Sequence, residues 1–322
     1  MGKEAELQVR LPNGRIKCTA CARLCEIPEG KTGLCGIRGV TNSNLYLYVY
    51  GRVIAGHIDP IEKKPVTHYR PGSSIYSVAT TGCNWLCKYC QNYDISQRRK
   101  IEGIEMTPKE VVNMAMSCGA HGIAYTYNEP SIFIEFAKDC GIEAHKRDIF
   151  NIFVSNGYDT ADSVAMMSKF LDCITVDFKG SGKQEFVRQY IGIPSADPIF
   201  QTLKEIRDKT FIHTEITDLI VPQVGDDLDA EKKLCKFVYD ELGPDTPIHF
   251  LRFHPDYKMM EFGMTPIETL EKHHAIAKEL GFKYAYLGNV PGHPLEHNCC
   301  NNCGYPIPII GKLNRSSRRN LF

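Results

Sequence analysis

From about residue 73 to residue 292, the chain alternates apolar runs of strand length with amphipathic stretches of helix length. Seven runs have the length and composition of strands: residues 74–80, 122–127, 150–155, 173–178, 211–221, 248–253 and 284–287. Alternation of this kind builds βαβ units around a parallel sheet. Six or seven consecutive units favour a curled, barrel-like sheet with its chemistry at the carboxyl ends of the strands. The pattern therefore predicts an α/β partial barrel.

Two of the intervening helices carry start signals. In residues 107–110 and again in residues 265–268, a threonine precedes a proline and, three residues after the threonine, stands a glutamate. This arrangement offers a capping hydroxyl, a proline at the first helical position and a carboxylate that can bond back to the cap. We expect the second of these helices to stop at Gly281. The remaining predicted helices are residues 132–146, 161–171, 198–209 and 228–242.

The two ends of the chain depart from this repeating pattern. Residues 1–72 are rich in glycine, cysteine and short turns, with an apolar ribbon at residues 45–53, and they predict an N-terminal cysteine-rich module. Residues 293–322 predict a short cysteine-containing tail that ends in a basic stretch. The expected division is therefore 1–72, 73–292 and 293–322.

Charge and composition exclude several classes of function. The 322 residues carry 38 basic and 38 acidic side chains, a formal net charge of +0, so the chain lacks the basic excess of nucleic-acid-binding proteins. No stretch approaches the roughly 18 apolar residues of a membrane span, and the first residues do not resemble a secretion signal. We expect a cytoplasmic protein. Fourteen cysteines in a reducing compartment are better interpreted as metal ligands than as disulfides.

The loop after the first predicted strand contains Cys83, Cys87 and Cys90 in the spacing C-x3-C-x2-C. A cubane iron–sulfur cluster is normally closed by four thiolates, so three would leave one iron open. A metal centre with a free coordination position is suited to chemistry. The alternative is a partial zinc site or a set of buried thiols. Structural zinc sites complete four ligands from paired elements, whereas the next cysteine here is Cys118.

This spacing, with Tyr89 directly before the last cysteine, resembles the signature loop of the radical S-adenosylmethionine (radical SAM) superfamily. The resemblance implies a [4Fe–4S] cluster whose open iron binds the amino and carboxylate groups of SAM. One electron from the reduced cluster then cleaves SAM to a 5′-deoxyadenosyl radical, which abstracts hydrogen from a substrate. The electron would come from a ferredoxin- or flavodoxin-type donor.

Polar residues at the predicted strand ends form the expected SAM-binding set, together with Tyr89. Asn128 and Glu129 follow the second strand, where radical SAM proteins carry an acidic motif that contacts the amino group of SAM. Glu129 can accept hydrogen bonds from an ammonium, and Asn128 can donate or accept. Asn156 and Asp177 close the third and fourth strands. The alternative for Glu129 is an ordinary helix entry, favoured by the helix N-terminus.

Asp177, Lys179 and His254 are the candidate catalytic residues. Asp177 and Lys179 place opposite charges on one rim, and His254 follows the sixth strand, where its charge can change near neutral pH. The alternative is that such residues form turns or serve structural roles.

Over nearly its whole length the chain resembles one family, the AmmeMemoRadiSam system radical SAM enzyme, itself similar to pyruvate formate-lyase activating enzymes. The resemblance rests on the cluster loop and on residues 18–38, 57–65, 127–130, 253–258, 288–292 and 300–303. It implies a partial (βα)6-type barrel and partnership with Memo-like and AMMECR1-like proteins, but no particular substrate. Two positions depart from the family pattern: Cys299 stands where an aromatic residue is more common, and Asn301 where proline is usual.

Two other functions remain open at this point. Glycyl-radical enzyme activases share a D-G-P-G-x-R stretch ahead of the cluster, whereas this chain has D-P-I-E-K-K-P from Asp59, which disfavours that function. A zinc-stabilised binding scaffold without turnover is the alternative from another class. The Lys63–Lys64 pair within the same stretch fits either an anionic substrate or a solvated surface.

A second set of cysteines precedes the barrel. Cys18, Cys21, Cys25 and Cys35 offer four thiolates within 18 residues, enough for a zinc ion or a further iron–sulfur cluster, as a structural centre or an electron relay. In a different scheme, two of them combine with the C-x2-C pair of the tail to form one zinc site from Cys18, Cys21, Cys300 and Cys303. The spacing leaves both schemes open. The single cysteines at 118, 140, 173 and 235 are expected to be small buried residues.

Overall fold

An eight-stranded sheet organises the chain in a computed structural model that describes residues 2–296. The strands are β1 (Ala55–Pro60), β2 (Ser74–Ala79), β3 (Gly122–Tyr125), β4 (Phe150–Ser155), β5 (Cys173–Lys179), β6 (His213–Ile220), β7 (Ile248–Arg252) and β8 (Ala285–Gly288). They lie side by side in chain order, from β1 at one edge to β8 at the other. Strands β2 to β8 run parallel, and β1 pairs antiparallel with β2. The predicted α/β fold with a mostly parallel sheet is confirmed.

Helices connect the parallel strands as the sequence predicts. The longer ones are α1 (Pro108–Ser117), α2 (Ile134–His145), α3 (Ala161–Met167), α4 (Asp197–Lys209), α5 (Leu228–Leu242) and α6 (Ile267–Leu280). The capping box at α1 is confirmed, since the Glu110 amide donates to Thr107 Oγ1 and the Thr107 amide donates to Glu110 Oε2. Helix α6 stops at Gly281, which adopts a left-handed φ of +99°. None of the helices formed by residues 2–296 has the length and apolar character needed to cross a bilayer.

The predicted cap at the start of α6 is wrong. Thr265 does not cap the helix, because its hydroxyl donates to the Ile220 carbonyl at 2.6 Å and accepts from the Phe253 amide at 2.9 Å. Pro266 occupies the cap position without a side-chain hydrogen bond. The threonine instead ties the ends of β6 and β7 together beneath the site described below.

The N-terminal residues form two small antiparallel sheets. One contains the strands Lys3–Glu4, Arg38–Thr41 and Asn44–Leu47, and the other contains Gln8–Arg10, Ile16–Cys18 and Glu26–Ile27. The predicted apolar ribbon at residues 45–53 is divided between Asn44–Leu47 and a separate strand, Arg52–Val53, which pairs with Ile104–Glu105. The main sheet begins at Ala55 and so includes part of the segment assigned to the module. Cys300 and Cys303 of the predicted tail lie outside the described residues.

A buried ion pair joins this N-terminal part to the barrel. Arg38 Nη1 and Nη2 each lie 2.7 Å from one oxygen of the Glu135 carboxylate on α2, and both side chains are at most 1% exposed. The guanidinium also donates to the Ile132 carbonyl at 3.1 Å. Apolar residues from both parts belong to one continuous hydrophobic core. The two parts therefore fold against each other as a single packed unit.

Glu215 on β6 closes the amino end of the barrel interior. Its fully buried carboxylate accepts hydrogen bonds from the backbone amides of Thr67 and His68, at 3.1 and 2.8 Å, and from the rings of His213 and His249, at 3.2 and 2.9 Å. A small apolar cluster fills the same interior, with residues Ile61, Val66, Ile75, Ala124, Phe150, Ile152 and Cys173. The segment around Thr67 is thus held inside the barrel as a plug.

We expect Glu215→Gln to lower the free energy of unfolding by about 2–3 kcal/mol near neutral pH, because hydrogen bonds to charged groups contribute about 1.5–3 kcal/mol each. Burial raises the pKa of Glu215, but the bonds from His213 and His249 outweigh it and hold that pKa well below 4.5. A carboxylate with a lowered pKa stabilises the fold above its unfolded pKa and loses this effect as the pH falls. Urea unfolding should show that the difference in free energy of unfolding between the wild type and Glu215→Gln becomes smaller below about pH 4.5. The stabilising role of the Glu215 carboxylate would be contradicted if this difference stayed constant with pH. It would also be contradicted if the exposed control Glu279→Gln showed the same difference.

Candidate active site

A cavity of about 310 Å³ opens at the carboxyl ends of the parallel strands. Its walls come from the loop after β2 and from the ends of β3, β4, β5 and β7. Every predicted cluster, cofactor and catalytic residue lines it: Cys83, Cys87, Tyr89, Cys90, Asn128, Glu129, Asn156, Asp177, Lys179 and His254. The strand-end argument therefore placed these side chains around one space, although the role of each stays a prediction.

The cysteine loop is held from two sides. On the module side, Gly82 has a φ of +86°, and a Cβ at this position would lie 2.5 Å from the Cys35 carbonyl oxygen, so only glycine allows this approach. On the barrel side, Asn128 Nδ2 donates to Gly82 O at 2.9 Å and to Thr80 Oγ1 at 3.1 Å. The loop is thus fixed before Cys83 begins.

Burial dominates the chemistry of the loop thiols. It raises the pKa of Cys83 well above its usual value and that of Cys87 to about 12, although Lys179 offsets part of the effect at Cys87. Thiols bind metal as thiolates, so both would be deprotonated on metal binding. Three soft sulfur donors on one cavity wall are the ligand type of an iron–sulfur cluster.

Glu129 is buried and makes several internal hydrogen bonds. Its Oε1 accepts from the Ser131 amide and hydroxyl and from the Ser155 hydroxyl, and its Oε2 accepts from the Asn156 amide at 2.8 Å. The bond from Ser131 caps the helical turn Pro130–Phe133, so the helix-entry interpretation describes part of what this carboxylate does. Burial raises the pKa of Glu129. It also raises the pKa of Asp159, which lies close enough to repel it electrostatically.

The two asparagines of the predicted SAM-binding set differ in their surroundings. Asn156 Nδ2 donates to Asn84 Oδ1 on the cysteine loop at 2.8 Å, and its Oδ1 accepts from the Tyr158 amide at 3.0 Å. Asn128 Oδ1 is buried yet has no hydrogen-bond partner within residues 2–296. An unpaired buried acceptor is costly, so this oxygen retains unused hydrogen-bonding capacity in a residue that lines the cavity.

Tyr89 supplies an apolar wall. Its ring is 5% exposed and stacks on Phe186 at a centroid distance of 6.0 Å, with Phe253 edge-on at the same distance. Its hydroxyl has no hydrogen-bond partner in the part of the chain that the structure describes. The residue before the last loop cysteine is therefore packed in place within the cavity wall.

The three candidate catalytic residues divide into an interior pair and a rim residue. Lys179 Nζ lies 2.5 Å from Asp177 Oδ2, and Asp177 Oδ1 accepts from Thr217 Oγ1 at 2.8 Å. Burial lowers the pKa of Lys179, but Asp177 and Cys87 outweigh it, so the net pKa is raised and the amine stays charged. His254 is 57% exposed and lies 3.2 Å from Asp256 at the cavity mouth.

Lys63 and Lys64 also line this cavity. The sequence had left open whether this pair lies at a binding site or at a solvated surface. Both contact Asp59, and the hydroxyl of Tyr127 donates to the same carboxylate at 3.0 Å. Tyr127 adopts a φ of +69°, an unusual conformation for a bulky residue. The strand-end rule could not find this group because β1 is antiparallel and ends at the opposite edge of the sheet.

The N-terminal cysteines line a second, smaller cavity together with Arg38 and with Asn84 of the cysteine loop. They are Cys18, Cys21, Cys25 and Cys35. As the side chains stand, no three Cys, His, Asp or Glu residues within residues 2–296 are grouped closely enough to hold a metal ion, so metal binding at either set stays a prediction. The cysteines at 140, 173 and 235 are buried as expected, but Cys118, at the end of α1, is half-buried and corrects that prediction.

Comparisons with known proteins show the family of this chain. The model of the radical SAM superfamily matches residues 77–238, about half of the chain. The uncharacterized protein MJ0808 of Methanocaldococcus jannaschii is 41% identical over 304 residues, which cover 94% of this chain and 90% of that protein.

The solved structures with a similar fold include two proteins, from Sphaerobacter thermophilus and Streptococcus suis. A radical SAM methyltransferase from Sphaerobacter thermophilus matches with a TM-score of 0.52 and 13% identity, over 68% of this chain and 67% of that one. Streptococcus suis SuiB bound to S-adenosylmethionine matches with a TM-score of 0.50 and 10% identity, over 70% of this chain and 51% of that one. At these identities the likeness concerns the fold alone.

Proposed function

The chain belongs to the radical SAM superfamily, whose members use an iron–sulfur cluster and SAM, and we propose that it is an enzyme that cleaves SAM reductively to abstract hydrogen from a substrate. The observation that carries the proposal is the common cavity of Cys83, Cys87 and Cys90, which is also lined by Asn128, a residue whose buried Oδ1 is unpaired within residues 2–296. A bound cluster and SAM would supply the 5′-deoxyadenosyl radical. The chain itself has to hold these groups and exclude water.

The residues around the cavity are suited to these tasks. Asn128 presents a free acceptor to the ammonium of SAM, and Glu129 Oε2, with its one bond from Asn156, can accept a further hydrogen bond. Tyr89 and Phe253 add apolar surface to the cavity wall, which limits the access of water to reactive species. The Asp177–Lys179 pair and His254 remain the candidates for contacts with substrate or for proton transfer.

The proposal extends to partners and setting. A low-potential donor of the ferredoxin or flavodoxin type would deliver the electron in the cytoplasm. The motifs of the AmmeMemoRadiSam system family support membership in that family and partnership with Memo-like and AMMECR1-like proteins.

We also propose a metal centre, zinc or a second iron–sulfur cluster, at the N-terminal cysteines. Four thiols line one cavity that reaches Asn84, the residue after Cys83. Because all four cysteines line the same cavity, we favour the scheme in which Cys18, Cys21, Cys25 and Cys35 bind the metal together. The other scheme requires Cys300 and Cys303 of the tail. A centre here would lie directly behind the cysteine loop, where it could stabilise the loop or relay electrons to it.

Anaerobic purification and reconstitution test the main proposal. With dithionite and SAM, the protein should release 5′-deoxyadenosine and should be brown, with several irons per chain. A colourless protein that contains zinc alone and releases no 5′-deoxyadenosine would instead support a binding scaffold. Metal analysis of Cys21→Ala, beside the wild type, measures what the N-terminal set holds.

A further inference from the structure

Two lysines and one carboxylate form a charged group on the wall of the cavity, away from the cysteine loop. Lys63 Nζ lies 2.6 Å from Asp59 Oδ1, and Lys64 Nζ lies 2.8 Å from Asp59 Oδ2. The same Oδ2 accepts from Ser77 Oγ at 3.2 Å and from the Tyr127 hydroxyl at 3.0 Å. Asp59 Oδ2 therefore accepts from three donors and Oδ1 from one, so the carboxylate is engaged at both oxygens.

This group carries an excess positive charge. Two ammonium groups share one carboxylate, and within residues 2–296 neither lysine has another acidic partner. Each ammonium has three N–H donors, and the bond to Asp59 uses one of them. Free donors on two neighbouring amines are therefore available to an acceptor that enters the cavity.

Burial makes the excess charge significant. The Lys64 side chain is 4% exposed, and its Nζ lies 4.7 Å from the centre of the Tyr127 ring, so water cannot surround the ammonium. A buried charge without full compensation is costly. Burial accordingly lowers the pKa of Lys64, and Asp59 offsets only part of this effect. An incoming anion would supply the missing countercharge.

The carboxylate that binds both lysines belongs to a backbone position far from the cysteine loop. Asp59 pairs in register with Ile75, four residues before β2 ends at Ala79, which corresponds to about 13 Å along the strand. The cysteine loop follows that end of β2, yet both groups line the same cavity. A molecule that spans the cavity could therefore meet the cysteine loop at one end and the lysines at the other.

We propose that the substrate of this enzyme is a small anionic molecule whose carboxylate or phosphate group binds Lys63 and Lys64. This inference rests on the proposed function of the same cavity, because it assigns the lysine wall to substrate and the cysteine wall to SAM. The anion would accept the free N–H donors of both amines. The part of the substrate that loses hydrogen would then point towards the cysteine loop.

Isothermal titration of the anaerobically reconstituted protein with SAM present tests the inference. The probes are sodium malonate, inorganic phosphate and pyrophosphate, which separate a carboxylate site from a phosphate site. The variants are Lys63→Met, Lys63→Arg and Lys64→Met. The matched control is Lys183→Met, which removes a lysine paired with Asp227 that does not line the cavity. Thermal unfolding checks that each variant is folded.

We expect at least one probe to bind. Lys63→Met and Lys64→Met should each raise the Kd of that probe by about tenfold or more. Lys63→Arg should stay within about threefold of the wild type, because it keeps the charge, and Lys183→Met should match the wild type. If Lys64→Met does not fold, Lys63→Met decides, since Lys63 is 64% exposed and its loss should be tolerated. Failure of every probe to bind, or equal binding by wild type and Lys63→Met, would overturn the inference. Release of 5′-deoxyadenosine by the wild type is measured separately, so its absence would refute the proposed function instead.

Discussion

Replacement of Cys87 by alanine is expected to abolish the release of 5′-deoxyadenosine from SAM. Even removal of an outer partner of a metal ligand costs about 10–100-fold, so loss of one of three ligands should exceed about 100-fold. Cys87 is buried in the cavity wall between Cys83 and Cys90, and within residues 2–296 these three residues supply all the sulfur atoms that line the cavity. The measurement is product release by the anaerobic, dithionite-reduced protein, together with its iron content.

The matched control is Cys118→Ala. Cys118 is a half-buried cysteine at the end of α1, outside the residues that line either cysteine cavity. The Cys118→Ala protein should have the same iron content and the same activity as the wild type. If Cys87→Ala retained the same cluster and activity, the assignment of this loop would be wrong.

Replacement of Arg38 by methionine should lower the free energy of unfolding by about 3–5 kcal/mol, more than any other substitution proposed for this chain. Breaking one side of a buried ion pair leaves the other charge uncompensated, and the Glu135 carboxylate is fully buried. Burial raises the pKa of Glu135, but Arg38 outweighs this and lowers it overall, so the carboxylate stays ionised beside its partner. Urea unfolding near neutral pH, followed by circular dichroism, measures the difference.

Two further variants sharpen this test. Lys236→Met removes a lysine from an exposed pair with Asp240 on α5 and should change stability little. The double variant Arg38→Met with Glu135→Leu should recover part of the loss, since it removes both charges from the interior. An Arg38→Met protein as stable as Lys236→Met would mean that the ion pair does not hold the two parts together.

The sequence predicted the barrel well because parallel βαβ units impose two regularities. Apolar runs mark buried strands, and polar residues that follow them meet at one edge of the sheet. For this reason residues as distant in the chain as Cys83, Asp177 and His254 were placed around one cavity without knowledge of their contacts. The strand bounds at 150–155 and the helix bounds at 228–242 match the structure residue for residue.

The errors arose where long-range contacts decide the outcome. Thr265 has the sequence of a helix cap, but the nearby ends of β6 and β7 offer its hydroxyl better partners. The role of the Lys63–Lys64 pair stayed open in the sequence, because its contacts depend on the antiparallel course of β1, with the Lys64 ammonium 4.7 Å from the centre of the Tyr127 ring. Neither contact has a signal in the local sequence. The same holds for Gly82, whose close approach to Cys35 joins segments that no periodicity relates.

The contact between Gly82 and Cys35 restricts how the chain can be recombined. A side chain at position 82 would collide with the Cys35 carbonyl oxygen, so any barrel joined to these first 54 residues needs glycine at that position. A chimaera that joins the N-terminal part of one relative to the barrel of another should assemble only if the parent that supplies the barrel has glycine there. The packing of the two parts against each other thus depends on the absence of one side chain.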